Sequence, residues 1–186
     1  TIYSVRAHMS THIPPAAREV IGASHMGGIF YDLAGHMLDQ IVWLLGRPER
    51  VTAFLRNDSG QVPNFSDNTL GVFEYEHAMA WVDIAAMEAR PMARRYEVYG
   101  SEGSAILVEP FEPGRQIRLC LESPHGSYTQ GEQFISIEGP SRQKTYEREL
   151  EAFLGVLSGE RAPDRTLDHE LLVQETLLRA VGKVEG

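Results

Sequence analysis

A Gly-Gly pair at 27–28 and a Gly-Arg-Pro at 46–48 bracket an apolar-periodic run. Glycine ahead of such a run, and glycine then proline behind it, punctuate a helix of about four to five turns. At about 100° per residue, Phe30, Leu33, Met37, Ile41 and Leu44 make one stripe. Asp32, His36, Asp39 and Trp43 fall within roughly 60° on the opposite side. Such a helix must press its stripe onto a core and turn its titratable row away from it. An acid and an imidazole at i and i+4 are neighbours, placed to share a proton with something bound above them. The same spacing also describes a solvated helix face, so two readings of the row stand. Trp43 continues the row, and Gly27, Gly28 and Gly35 remove side chains where a close approach would need room.

The rest of the chain supplies the core. Ile2 to Ile13 alternates as a half-buried strand, with Ile2, Ser4, Arg6 and His8 on one face and Tyr3, Val5, Ala7 and Met9 on the other. Pro14-Pro15 ends it, and a loop containing Gly, Ser and His leads to the helix. Further strands are predicted at 50–57, at 68–76 and 79–88 as a hairpin around Glu76-His77-Ala78, at 93–99 and 104–109 around Gly100 to Gly103, and at 115–121. Residues 122–142 read as a loop with an edge strand near 134–137. Two helices close the chain. The first, 146–158, carries Leu150, Phe153, Leu154 and Leu157 at helical spacing. Thr166 caps the second, with Asp168 and Glu170 at the positive end of its dipole and Leu167, Leu171, Leu178 and Val181 as its buried stripe.

Strand, helix, a run of strands, then helices is an α+β order: one large, mainly antiparallel open sheet with helices on one face. In 79–88, neither Ala80, Val82, Ile84 and Ala86 nor Trp81, Asp83, Ala85 and Met87 is a strongly polar set. Both sheet faces are therefore expected to be covered, the second by subunit contacts or another domain. With 186 residues and 42% hydrophobic composition, residues 1–186 suit a single core. The net charge of −9 excludes nucleic acid and anionic membrane as natural partners. A single cysteine, Cys120, excludes a disulfide framework and a cysteine zinc site, fits a cytoplasmic location, and is placed as a small core residue. The chain opens at Thr1 directly in a strand-like pattern and is read as a piece of a longer protein.

Gly27-Gly28, Asp32-x-x-x-His36-x-x-Asp39, Trp43 to Gly46 and the strand that follows resemble the C-terminal domain of the Gfo/Idh/MocA family of nicotinamide-dependent oxidoreductases. These are relatives of glucose–fructose oxidoreductase and inositol 2-dehydrogenase. The turn Tyr99 to Ser104 and the closing helix pair continue the resemblance through nearly the whole chain. It implies a substrate-binding and oligomerisation domain whose partner, an N-terminal Rossmann domain holding NAD or NADP, is absent from this chain. No Gly-x-Gly-x-x-Gly follows a strand here, and the family's Glu-Lys-Pro segment with its catalytic Lys has no counterpart. The resemblance implies hydride transfer from a sugar, polyol or related carbinol, with His36 as acid/base and Asp32 orienting it or the substrate. It further implies a homodimer or homotetramer built through the sheet.

Asp39 is a candidate substrate contact, with capping or pairing to an Arg as the alternative. His12 at the strand's end and His25 beside the glycine pair are further candidates for the cleft. Arg6 is a candidate contact to substrate hydroxyls, or else an intrasheet ion pair. His8 and His12 share a strand face about 13 Å apart, too far for one metal. His77, His125 and His169 are expected to be exposed. No cofactor or metal ligand is assigned within the chain. Two other functions remain open at this level: a non-catalytic binding or assembly module of the same family, and a metal-assisted hydrolase or isomerase using Asp32 and His36 as ligands.

Overall fold

The computed structural model describes residues 1–24, 27–92, 94–107 and 115–184. Eight strands form one sheet among them: β1 (Ile2–Met9), β2 (Arg50–Arg56), β3 (Asn68–Glu74), β4 (Met79–Ala85), β5 (Arg94–Gly100), β6 (Gly103–Leu107), β7 (Gln116–Leu121) and β8 (Gly131–Ser136). Their spatial order is β2-β3-β4-β1-β5-β6-β7-β8. β1 sits inside the sheet, parallel to β4 and antiparallel to β5, and the remaining pairs are antiparallel. The parallel pair arises because the chain leaves β1, builds helices and a hairpin, and returns alongside it.

The helices are α1 (Pro15–Ser24), α2 (Ile29–Leu45), α3 (Arg142–Leu157) and α4 (Leu167–Ala180). α2 packs on β1, β3 and β4, and α4 packs on α2 and β2. Between them lies the core: Val5, Ala7 and Met9 of β1 and Ala80, Val82 and Ile84 of β4 meet Phe30, Met37, Leu38 and Ile41 of α2. Each of the larger side chains gains about 1.5–3 kcal/mol from full burial. Arg18 and Asp67 are buried together at 3.6 Å, and both are hydrogen-bonded further. Arg18 donates to the carbonyls of Ile13 and Ala86, while Asp67 accepts from the backbone of Asp58. This knot ties α1 and the 57–67 loop to the ends of β1 and β4.

Two tight approaches seat α2. Gly71 leaves room for the Phe30 ring, since a Cβ there would lie 2.5 Å from Phe30 Cζ. Gly28 holds φ +59°, and a Cβ on it would lie 2.4 Å from the Ser66 carbonyl oxygen. That same oxygen accepts a hydrogen bond from Ile29 N at 3.0 Å. The close approach that the glycine pair permits is thus made by the protein's own 66–67 backbone. Gly35 differs, with nothing within 4 Å of its Cβ direction.

Several expectations are corrected. Residues 15–24, read as loop, form α1, because Pro15 suits the first helical position and Arg18 finds inward partners. Ile2 and Tyr3 exchange faces: the register shifts between Ile2 and Ser4, so Ile2 joins the core and Tyr3 is exposed. Cys120 is exposed, because among the described residues no helix packs substantially on β7. In α4 the buried residues are Thr176, Leu177 and Ala180, while Leu167 and Leu171 project outward. The helical spacing holds, and of the expected stripe Val181 packs against the core and Leu178 is half-buried, so only its first turn faces the other way. The edge strand β8 begins three residues earlier than expected, and the ends of the 93–99 and 104–109 strands at Ala93, Val108 and Glu109 lie outside the described residues.

Gly28→Ala is expected to destabilise the chain by about 1–3 kcal/mol, through left-handed strain plus the clash with Ser66. Urea unfolding measures it, and Gly35→Ala, into open space on a regular helix, should be neutral or slightly stabilising in the same assay.

Candidate functional site

Seating α2 by its apolar stripe turns its polar row toward α3 and α4. A hollow of about 580 Å³ opens there, lined by His36, Gly35, Asp39 and Gln40 of α2, Glu149 of α3, Arg165 of the α3–α4 loop and Glu170 of α4, above Met9 and Met37. His36 is exposed on its wall. Asp32, half-buried one turn earlier and bonded through its N–H to the Gly28 carbonyl at 3.3 Å, is not among the lining residues. Of the expected pair, only the imidazole lines the hollow.

Asp39 has a different part. Its Oδ1 lies 2.8 Å from His169 Nε2 and 2.8 Å from Arg165 Nε, the latter a charge contact rather than an aligned hydrogen bond. Arg165 also lies over the Trp43 ring, 5.6 Å from its centroid. One half of the polar row is therefore latched to the start of α4, and in the other half His36 faces the hollow. Asp39 matches the alternative of pairing with an arginine. His169, expected to be exposed, is mostly buried by that contact and is corrected accordingly.

Asp39, His169 and Glu170 bring ligand atoms within 4.8 Å of one another, which is the spacing of a cation site. The Arg165 guanidinium on the same Asp39 oxygen supplies the positive charge there instead. Neither Asp32 nor His36 belongs to that cluster, so the metal-assisted alternative finds no support in the ligand set it named.

The remaining candidates lie elsewhere. Arg6 is on the sheet face opposite α2, stacked between Trp81 and Tyr99 at 4.8 and 4.6 Å from their centroids and 3.9 Å from Glu97. His12 is exposed, its Nδ1 3.2 Å from the Glu88 carbonyl oxygen. His25 lies outside the described residues. Sequence reasoning missed Arg165, Glu149 and His169. They stand more than a hundred residues from α2, and only the packing of α4 on α2 brings the latter group near it. The Thr166 cap, which accepts from His169 N, fixes where α4 starts but carries no signal of what its first turn meets.

On the outer sheet face, His8 lies between two carboxylates, Nδ1 3.1 Å from Asp83 and Nε2 3.3 Å from Glu88. The Asp83 hydrogen bond, opposed by burial and assisted by both charges, raises the His8 pKa. Burial likewise raises the Tyr96 hydroxyl, with the nearby Tyr75 and Asp39 adding to it.

Residues 1–106 match the family model described as the GFO/IDH/MocA C-terminal domain. No curated protein matches the chain. Among solved structures, 98% of the chain superposes on 54% of an oxidoreductase from Agrobacterium radiobacter in complex with NAD+, L-tartaric acid and magnesium, at TM-score 0.75 and 14% identity. It covers 55% of a UDP-N-acetylglucosamine 3-dehydrogenase from Acidithiobacillus ferrooxidans with 99% of its own length, at TM-score 0.74 and 17% identity. An oxidoreductase from Thermotoga maritima matches at TM-score 0.68 and 17% identity, over 98% of this chain and 52% of that one. The chain thus spans about half the length of the solved structures it matches.

Because folding raises the His8 pKa, the folded state holds that proton more tightly than the unfolded one. The stability gained is complete below the unfolded value of about 6.5 and is lost as pH rises through the folded value. His8→Gln should therefore lower Tm most in mildly acidic buffer. The gap to the parent chain should shrink as pH climbs above about 6.5, which parallel thermal scans will read.

Proposed function

Since the chain belongs to the GFO/IDH/MocA C-terminal domain family, we propose that it is the substrate-binding half of an oxidoreductase acting on the carbinol of a sugar, polyol or related hydroxy compound. In this reading residues 1–186 are one domain, and a separate cofactor-binding domain supplies NAD or NADP. The observation that carries it is the hollow beside His36: open, bordered by Gly35, and lined by an imidazole and by carboxylates.

The lining suits a polyhydroxy ligand. Asp39, Glu149 and Glu170 offer acceptor oxygens to hydroxyl donors, while Arg165 and Gln40 offer N–H groups to hydroxyl oxygens. It does not suit the cofactor. Carboxylates outnumber cations there, and the sequence has no glycine-rich phosphate cradle, so the dinucleotide is assigned to the partner domain. The nicotinamide chemistry belongs to that domain.

What this chain supplies is a place for the proton. His36, one turn beyond Asp32, takes the proton from the substrate hydroxyl as the carbonyl forms and returns it in the reverse direction. Asp32 stands one turn before His36, in the first turn of α2 where an acidic side chain suits the helix dipole, and orients the imidazole or the substrate. The outer sheet face, with Arg6 sandwiched by Trp81 and Tyr99 and Phe54 exposed, is the proposed subunit contact.

In the chain joined to its cofactor domain, His36→Ala should lower turnover of the best substrate in a sugar and polyol panel by about 10²–10⁴-fold. The readout is the absorbance of reduced nicotinamide. Asp32→Asn should lower it less, because Asp32 is not among the residues that line the hollow. Near-parent turnover by His36→Ala removes this residue, and with it the reading.

A further inference from the structure

The charges that line the His36 hollow do not balance. Three carboxylates, Asp39, Glu149 and Glu170, face it together with one guanidinium, Arg165. That guanidinium is already committed. Its Nε lies 2.8 Å from Asp39 Oδ1, and it covers the Trp43 ring at 5.6 Å from the centroid. His169 Nε2 meets the same Asp39 oxygen at 2.8 Å. Asp39 is thus answered from within the fold.

Glu149 and Glu170 are not. Both are exposed, and among the described residues no hydrogen bond or ion pair engages either carboxylate. They come from separate helices, α3 and α4, so their meeting at one cavity is not the solvated face of a single helix. A Glu170 oxygen also lies within 4.8 Å of an Asp39 oxygen, a like-charge approach that favours a cation between or beside them. His36 supplies none before the reaction, because an imidazole that takes the substrate's proton starts uncharged. The net charge of −9 adds a field of the same sign.

This arrangement sorts ligands by charge. A hollow of about 580 Å³ has room for a small polyhydroxy molecule. A sugar acid or sugar phosphate placed there sets its anionic group against two unanswered carboxylates. A neutral sugar satisfies their lone pairs but not their charge. An ammonium group does both, with three N–H donors for acceptor oxygens and a charge-assisted bond to each.

We propose that the substrate of this hollow is an aminated carbinol, a sugar or polyol bearing an ammonium group, and that Glu149 and Glu170 bind that group. This deepens the proposed function and rests on it for where the substrate sits. The same two carboxylates turn anionic substrates away.

The chain joined to its cofactor domain tests this with glucose, glucosamine and glucuronate, three probes of one ring and different charge. Calorimetry reads binding, and reduced nicotinamide reads turnover. Glucosamine should exceed glucose by about tenfold in affinity and in kcat/KM, and glucuronate should fall about tenfold below it. Added salt should narrow both gaps. Glu149→Gln combined with Glu170→Gln should bring the three probes within about threefold of one another, and Glu149→Lys should place glucuronate ahead of glucosamine. Both side chains are exposed, so these variants should keep the parent Tm.

Equal affinity for glucosamine and glucose would overturn the inference; that is the result if the carboxylates only balance the positive ring of oxidised nicotinamide. Acceptance of glucuronate on adding Mg2+ would assign them to a divalent ion and overturn it too, as would failure of all three probes to bind. The functional reading fails separately. Charge-selective binding without His36-dependent turnover would sink the oxidoreductase assignment alone, and His36-dependent turnover without charge selection would sink this inference alone.

Discussion

The seating of α2 on the sheet is the constraint from which the rest follows. Two close approaches set it, Phe30 over Gly71 and Gly28 against the Ser66 backbone, and neither tolerates even a methyl group at the glycine. Together they fix the height and rotation of the helix, with Ile29, Ala34, Leu38 and Ile41 filling the interface. Once the stripe is buried, the residues opposite it must face α3 and α4. The orientation of His36 is thus a consequence of core packing, not of any local preference of its own.

That geometry divides one row of polar residues into two kinds. Asp39 and Trp43, at the lower end, are taken up by Arg165 and His169, which pin the start of α4 to α2. His36, higher up, opens onto the hollow that this pinning creates. Asp39 and Arg165 belong both to the latch and to the lining of the hollow, so the two parts of the row adjoin. The glycines divide in the same way. Gly27 and Gly28 make room for Val181 and Ser66 of the same chain, whereas Gly35 leaves space at the hollow itself.

Charge follows a comparable economy on the far side of the sheet. Arg6 is held by two aromatic faces and Glu97, and His8 by two carboxylates, so this face is polar at its centre without being free of structure. Apolar side chains such as Phe54 and Phe134 flank it. This face, of mixed character and partly aromatic, is the one proposed above for the subunit contact.

Much of this was legible in the amino-acid order because it depends on local periodicity. The alternation of β1 and β4, the turn at 100–103, the caps of α2 and α4 and the segregation of strands from helices are all properties of neighbours in sequence. They determined an α+β domain and a helix with one apolar and one titratable side. Where a second, distant segment had to choose, the pattern was silent or misleading. The inward turn of Arg18, the outward turn of Leu167 and Leu171, the exposure of Cys120 and the capture of Asp39 were decided only in three dimensions. Periodicity tells a helix that it has two sides, but which side is buried depends on what the remainder of the chain, or another chain, lays against it.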